Sequence, residues 1–540
     1  MQPTTTSSTK TPSTKTQSTR TPPDTITAAL ARAVAAVPDR IFLDCEGATL
    51  TFAQADLLST RYAHGLAQHG LKRGEPAALM LDNNLEHVLL WLAINKLGAI
   101  SAPVNTAFKG DYLRNQLADC GAKIFIAELD YRERFEQIAA ALPDHPRLLT
   151  RNGNLIELLS DCSDAIADTN TPGDTAMLVY TSGTTGNSKG CMIPHNLPCN
   201  LGWGAVKYRG FSSEDIIWSP LPLFHLNAIA VVVVTALIAQ CRAAIASRFS
   251  VRNFWPEIER SGATIVSLLG SLAALIADAP DEAAAERCRG QIRKLFAAPF
   301  PADVAAKWQR RFDVTASAAG GYGMTEAATI ATTLSTDTQA PAGSSGRSGI
   351  DFDIQIFDAD DRPVAIGDVG EIVCRPRLPG ILFSGYWRKP EASLAAMRNL
   401  WFHTGDLGRM DADGYLFFVD RKKDYIRRRG ENISSTELEG VFRAHPAIRD
   451  VAVHSVLSPL GEDDVKVTAE LVAPDSVTEE ELCRWSIDRV PYFAVPLYIE
   501  FREQLPRSAT GKVLKNQLRD EGCTSTTWHR ENAGIDLKRR

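Results

Sequence analysis

Between about residues 27 and 148 the apolar positions alternate between two periods. Asp24-Thr-Ile-Thr-Ala-Ala-Leu-Ala-Arg-Ala-Val opens on a capping residue and continues at helical spacing. Residues 77–81 form a short unbroken apolar run that predicts a buried strand, 86–97 a helix, and 99–104 another strand. This alternation predicts helices packed on both faces of a mainly parallel sheet. The same grammar returns further on, with a buried strand over 176–180 and an apolar strand over 216–225 that ends at His225. The apolar run 228–239 is only twelve residues, too short to span a bilayer, and predicts a buried core helix or strand. Near residue 422 the chain turns from apolar to strongly charged, and beyond it a helix over 434–445 and a strand over 451–456 are expected. The fold class that follows is α/β: a large N-terminal α/β domain of several subdomains with mainly parallel sheets, followed by a small C-terminal α+β domain.

Length agrees, because 540 residues exceed one simple core. Residues 8–22 hold three imperfect five-residue copies rich in Ser and Thr, with no large apolar side chain before Ile26, so 1–25 is expected to be a disordered tail. Residues 526–540, ending Lys-Arg-Arg, are expected to be a polar tail. A net charge of -6 without a basic stripe gives no case for nucleic acid. Ten scattered cysteines without a CxxC pair argue against a disulfide framework or a zinc site and suit a reducing, cytoplasmic setting. No transmembrane segment and no signal-type apolar stretch is expected.

Chemistry enters with Thr181-Ser-Gly-Thr-Thr-Gly-Asn-Ser-Lys-Gly190. Its glycines let backbone approach an anion, its hydroxyls can donate to phosphate oxygens, and Lys189 adds a charge. The spacing is not that of a Walker A loop, and by itself such a stretch also reads as a flexible surface connection. Downstream, Gly321-Tyr-Gly-Met-Thr-Glu-Ala327, Trp401-Phe-His-Thr-Gly-Asp-Leu407, Asp420-Arg421 and Pro506-Arg-Ser-Ala-Thr-Gly-Lys512 follow in order. Together with the loop they resemble the acyl-adenylate-forming superfamily of acyl-CoA synthetases, luciferases and peptide-synthetase adenylation domains, from about residue 30 to about residue 520. Residues 411–520 are most similar to carnitine or crotonobetaine-CoA ligase-like and medium-chain members.

The resemblance implies the site. Thr181, Ser182, Gly183, Thr184, Thr185, Gly186 and Lys189 would hold the ATP phosphates; Gly321 and Tyr322 would flank the adenine; Thr325 would meet the α-phosphate, and Glu326 would hold Mg2+. Asp406 and Arg421 would hold the ribose, with Ala297-Ala-Pro299 a turn near the adenine. Lys512 would bridge the carboxylate and α-phosphate from the small domain, which would be mobile about a hinge over 421–423 with Lys423 at the pivot. The domains are then 26–420 and 424–525. Gly430, within Arg427-Arg-Arg-Gly-Glu-Asn-Ile433, would line the thiol tunnel, and the three arginines read either as a solvated charge run or as a lure for the phosphates of coenzyme A. His225 would stand at the mouth of the acyl pocket. Gly323 replaces the tryptophan of acetate-specific members, so the pocket is expected to be deeper than acetate needs. Ser188 stands where relatives usually have proline.

The residues alone keep plainer readings open: His225 as a packed core histidine, Thr325 and Glu326 as a helix start, and Asp406 as a turn carboxylate. Phe224-His-Leu-Asn227 lacks the acid that pairs with an α-amine in amino-acid-activating members. The expected function is therefore ATP-dependent ligation of a carboxylic acid larger than acetate to coenzyme A, with ATP, Mg2+ and coenzyme A required. The alternatives are transfer of the acyl group to a carrier protein or other acceptor, and a nucleotide-binding relative without turnover. The expected partners are these small molecules, and a homodimer is compatible with the sequence.

Overall fold

The computed structural model describes residues 24–181, 188–298, 300, 302–314, 316–317, 321–333, 337, 340–341, 343–347, 351–421, 425–428, 430–458, 461–507 and 513–537. The expected 1–25 tail therefore lies almost wholly outside the described residues.

The N-terminal helix Ile26–Ala36 is capped by Thr25, whose hydroxyl accepts from the Ala28 N–H at 3.1 Å. Asp24, the expected cap, instead pairs with Arg32 and accepts from Trp203 Nε1 at 3.2 Å. The apolar runs become strands Pro76–Met80 and Ile100–Pro103 with helix Leu85–Lys96 between them. They belong to a six-stranded sheet that is parallel except for its last pair, Thr175–Thr181 against Lys189–Pro194. A seven-stranded sheet is likewise parallel except at one edge, where Ala48–Thr51 runs antiparallel to Ile41–Cys45. Helix Val251–Ser261 packs Phe254, Trp255 and Ile258 beside Trp308 and Phe312, with the Trp255 and Phe312 rings 4.5 Å apart. Each such side chain contributes roughly 1.5–3 kcal/mol by leaving water.

One expectation changes and two become more specific. The strand over 216–225 stops at Ser219, because Pro220 and Pro222 cannot donate to a ladder; the chain turns and delivers His225 on an irregular segment. The run 228–239 takes the helical alternative, as a π-helical stretch Ala228–Val234 continuing into α-helix Thr235–Ala239. A four-stranded antiparallel sheet, Phe352–Phe357, Gly370–Pro376, Phe402–Met410 and Leu416–Arg421, joins the parallel sheets.

The small domain packs helices Ser435–Arg443 and Glu479–Ile487 on a sheet of Ile448–Leu457, Asp463–Leu471, Tyr498–Phe501 and Trp528–His529. The supposed polar tail is part of that sheet. Trp528 pairs with Ile499, Arg530 donates to the Val495 and Pro496 carbonyls at 3.2 Å, and Ile535 is buried. Its polar composition hid one strand whose apolar contacts are few but long-range. No helix among the described residues is long and apolar enough to cross a membrane.

Candidate active site

The carboxyl ends of the parallel strands open into one cleft of about 2970 Å³, where Thr181, Pro220, Leu269 and Ala297 follow or end their strands. Open α/β sheets bind ligands at this edge. Ala297 and Ala298 end the strand Lys294–Ala298 rather than forming the expected turn, and Pro299 lies outside the described residues.

Thr181 and Lys189 are register partners at the open end of their hairpin, and both line the cleft. Ser182, Gly183, Thr184, Thr185 and Gly186 lie outside the described residues, as do Lys423 and Lys512. Lys189 Nζ lies 4.8 Å above the Tyr386 ring, and the Tyr386 hydroxyl donates to Glu326 Oε1 at 2.9 Å. Thr325, beside Glu326, lines the same wall. Tyr386 is held by an antiparallel bridge to Cys191, with the Met192 N–H donating to the Gly385 carbonyl at 2.9 Å and the Trp387 N–H to that of Gly190 at 2.8 Å. Sequence reasoning missed Tyr386. The only local signal was an aromatic pair after a glycine, and its pairing partner is almost two hundred residues away.

On the nucleotide side the Tyr322 hydroxyl donates to Asp406 Oδ2 at 2.8 Å, and both side chains are buried. Burial, then the Asp406 charge, holds the Tyr322 phenol well above the usual tyrosine range, so it stays a donor. Its ring lies nearly parallel to that of Phe418, with centroids 6.2 Å apart. Asp406 and Arg421 are register partners on adjacent strands, which brings the two expected ribose ligands to one place in the backbone. The turn before Asp406 is pinned by Glu371, which accepts from the Gly405 N–H at 3.1 Å; Gly405 has φ +74°, a conformation open to glycine. Gly321 is exposed at the cleft, paired with Thr332. Gly323 lines the cleft, and a Cβ there would lie 1.7 Å from the Ala328 carbonyl oxygen. Close backbone packing therefore demands glycine at 323 independently of how deep the acyl pocket is.

Small-domain residues close the third side. Gly430, at φ +79°, sits against Leu269, where an added Cβ would fall 2.2 Å from the leucine Cδ1. Glu431 beside it accepts from Asn105 Nδ2 at 3.1 Å and lies 3.2 Å from His225 Nε2. His225 is thus a partly exposed residue at the domain interface, not a core histidine. Ser188 N–H and Oγ donate to Glu437 Oε1 at 2.6 and 3.0 Å. A proline at 188 could supply neither bond. Burial, the largest influence on Glu437, raises its carboxyl pKa above the ordinary value. Of the three arginines, Arg427 is exposed and lines the cleft, whereas Arg428 is buried, donating to the Phe493 and Val495 carbonyls at 3.2 and 3.0 Å and pairing with Asp464 at 2.9 Å. Arg428 is therefore neither solvated nor available to a ligand; Arg429 lies outside the described residues.

Residues 30–387 match the family model for AMP-binding enzymes, and residues 437–512 match that for the AMP-binding enzyme C-terminal domain. A crotonobetaine/carnitine–CoA ligase of Salmonella paratyphi C is 29% identical over 496 residues, covering 89% of this chain and 95% of that protein. A double mutant of the o-succinylbenzoate CoA synthetase of Bacillus subtilis, bound to its product analogue OSB-NCoA, is 27% identical with a TM-score of 0.80, covering 91% of this chain and 98% of that chain. In complex with AMP, that enzyme has a TM-score of 0.64 at the same identity and coverage. The chain belongs to the AMP-binding enzyme family.

Proposed function

We propose that the protein is an ATP-dependent acyl-CoA ligase. It would join a carboxylic acid larger than acetate to AMP, release pyrophosphate, and pass the acyl group to coenzyme A. The observation that carries this reading is that one cleft is bordered at once by Lys189, by Tyr322 with Asp406, and by Gly430 with Glu431 of the small domain.

A carboxylate resists attack by a thiol because its leaving group would be an oxide. In the first step the acid's oxygen attacks the α-phosphorus of ATP and the bond to pyrophosphate breaks, leaving a mixed anhydride with AMP as a good leaving group. Positioning and charge neutralisation do most of this work. Lys189 and the loop it closes hold the β- and γ-phosphates, Thr325 meets the α-phosphate, Asp406 and Arg421 take the ribose hydroxyls, and Lys512 bridges the reacting oxygens. Among the described residues no group of three His, Cys, Asp or Glu could cage a metal. A single carboxylate, Glu326, beside a phosphate site fits Mg2+, which binds through one or two carboxylates plus substrate phosphates. When bound, it would neutralise phosphate charge.

In the second step the thiol sulfur attacks the acyl carbon, AMP leaves, and the thiol proton passes to the site or solvent. The small domain lies with Gly430 against Leu269. The whole chain superposes better on the double-mutant Bacillus synthetase bound to its CoA product analogue than on that synthetase with AMP, which supports reading this arrangement as the thioester-forming state. Rotation about the hinge at 421–423, with Lys423 as pivot, would exchange it for a state in which Lys512 enters the cleft.

The test is pyrophosphate release from ATP with a panel of acids, with and without coenzyme A. Acid-dependent release, and consumption of coenzyme A in step with AMP formation, are expected. ATP binding without release for any acid would overturn the proposal, and release that leaves coenzyme A untouched would replace the thiol with another acceptor.

A further inference from the structure

We propose that the acid carries a second anionic group, remote from the reacting carboxylate, and that Arg209 recognises it inside the cleft. This rests on the ligase reading and adds a substrate class to it.

Arg209 is the last residue of helix Asn196–Arg209, which Gly210 ends at φ +64°. Its side chain turns into the cleft that holds the phosphate and ribose residues. The guanidinium carbon lies 5.4 Å over the Phe296 ring, and Nη2 donates to Thr332 Oγ1 at 3.0 Å. Phe296 precedes Ala297 on its strand, and Thr332 pairs with Gly321, so both partners belong to the wall that would flank the adenylate. Leu201, on the same helix, and Val231 line the cleft with apolar surface.

Arg209 combines a place in the cleft wall with burial that no counter-ion offsets. Among the described residues no carboxylate forms an ion pair with Arg209. By contrast, Arg260 pairs with Asp44 at 3.0 Å, Arg293 with Asp215, and Arg151 with Glu128 at 3.4 Å. Burial, the one influence on Arg209, lowers its pKa below the ordinary arginine value. A guanidinium does not shed its proton at neutral pH, and one hydroxyl and one aromatic face satisfy little of a group with five donors. An uncompensated charge in such a place costs stability unless a ligand supplies the anion. The phosphates already have Lys189 and the ribose has Asp406, on other parts of the wall, which leaves the acid as the source. A carboxylate accepting two parallel N–H bonds matches the guanidinium fork. A betaine-like acid, whose remote group is a cation, would be repelled.

The test compares matched substrates. Succinate, glutarate, adipate and suberate are assayed by pyrophosphate release against their monomethyl esters, in the native chain and in Arg209→Leu and Arg209→Lys. For the best chain length, kcat/KM for the diacid should exceed that for its ester by roughly 10–100-fold, the range of charge-assisted hydrogen bonds. Arg209→Leu should abolish or reverse that preference while the ester's kcat/KM changes little, and Arg209→Lys should restore part of it. ATP-induced thermal stabilisation unchanged in Arg209→Leu would establish that the fold and nucleotide site survive. Equal use of diacids and esters by the native chain, or an unchanged preference in Arg209→Leu, would overturn the proposal while leaving the ligase reading intact. Absence of release with every acid would overturn both.

Discussion

The Tyr386 hydroxyl donates to the Glu326 carboxylate at 2.9 Å. The same ring lies under Lys189 Nζ at 4.8 Å, so one aromatic side chain touches both the phosphate-loop cation and the expected metal-binding carboxylate. The hydrogen bond restricts how Glu326 turns, and the ring face favours the ammonium over the cleft. Tyr386→Phe keeps the ring and loses the donor. It should lower kcat for pyrophosphate release roughly 10–100-fold, the effect of one hydrogen bond to a charged group, and raise the Mg2+ concentration for half-maximal rate. A Mg2+ titration of both chains checks this, and superimposable curves would detach Tyr386 from Glu326.

Tyr322 offers a parallel case on the nucleotide side. Its buried phenol donates to Asp406 at 2.8 Å, so Tyr322→Phe removes a donor from a buried carboxylate. The expected loss is about 1–3 kcal/mol of folding stability, read as a lower denaturation midpoint, together with weaker ATP binding. ATP titration by calorimetry and urea denaturation measure the two effects separately. A variant of native stability and native affinity would mean that the bond does not orient Asp406.

Ser188 departs from the proline usual at its position, and the structure gives that departure a use: both of its donors meet Glu437 across the domain interface. Ser188→Pro removes both. It should slow thioester formation from supplied acyl-AMP about a hundredfold, as two lost bonds to a charged acceptor imply, with a smaller effect on adenylate formation. Equal loss in both half-reactions would refute the interface role.

Glu437 also gives docking a pH dependence. Burial raises its pKa in the docked arrangement, so the docked form holds this proton more tightly than a form in which the carboxylate faces water. Docking is therefore favoured below the ordinary carboxylate pKa, and that contribution is lost as pH rises through the raised value. Energy transfer between labels on the two domains should rise as pH falls toward the carboxylate range, and Glu437→Gln should flatten the response. An identical response in Glu437→Gln would assign it elsewhere.

Much of this architecture was legible from local patterns. Residues 76–80 form an unbroken apolar run because the strand they make is buried on both faces, and the two motifs carrying Thr325 with Glu326 and Asp406 could be read directly. The missing features depend on distant partners. Trp528 and Ile535 stand among polar residues, yet Trp528 pairs with Ile499 about thirty residues earlier and Ile535 is buried. Arg428 looks solvated until Asp464 and two carbonyls capture it. Tyr386 and Arg209 have no local spacing that marks them. Their roles come from what the fold places opposite, and periodicity does not record that.

The central claim is that one cleft performs two reactions because the small domain presents a different face to each. Lys512→Ala assayed in both halves tests it most directly. Adenylate formation, followed by exchange of labelled pyrophosphate into ATP, should fall by about a thousandfold, as for loss of a charge placed on the transition state. Thioester formation from supplied acyl-AMP and coenzyme A should stay within about threefold of native, since tenfold already corresponds to 1.4 kcal/mol. Comparable loss of both rates would contradict the account.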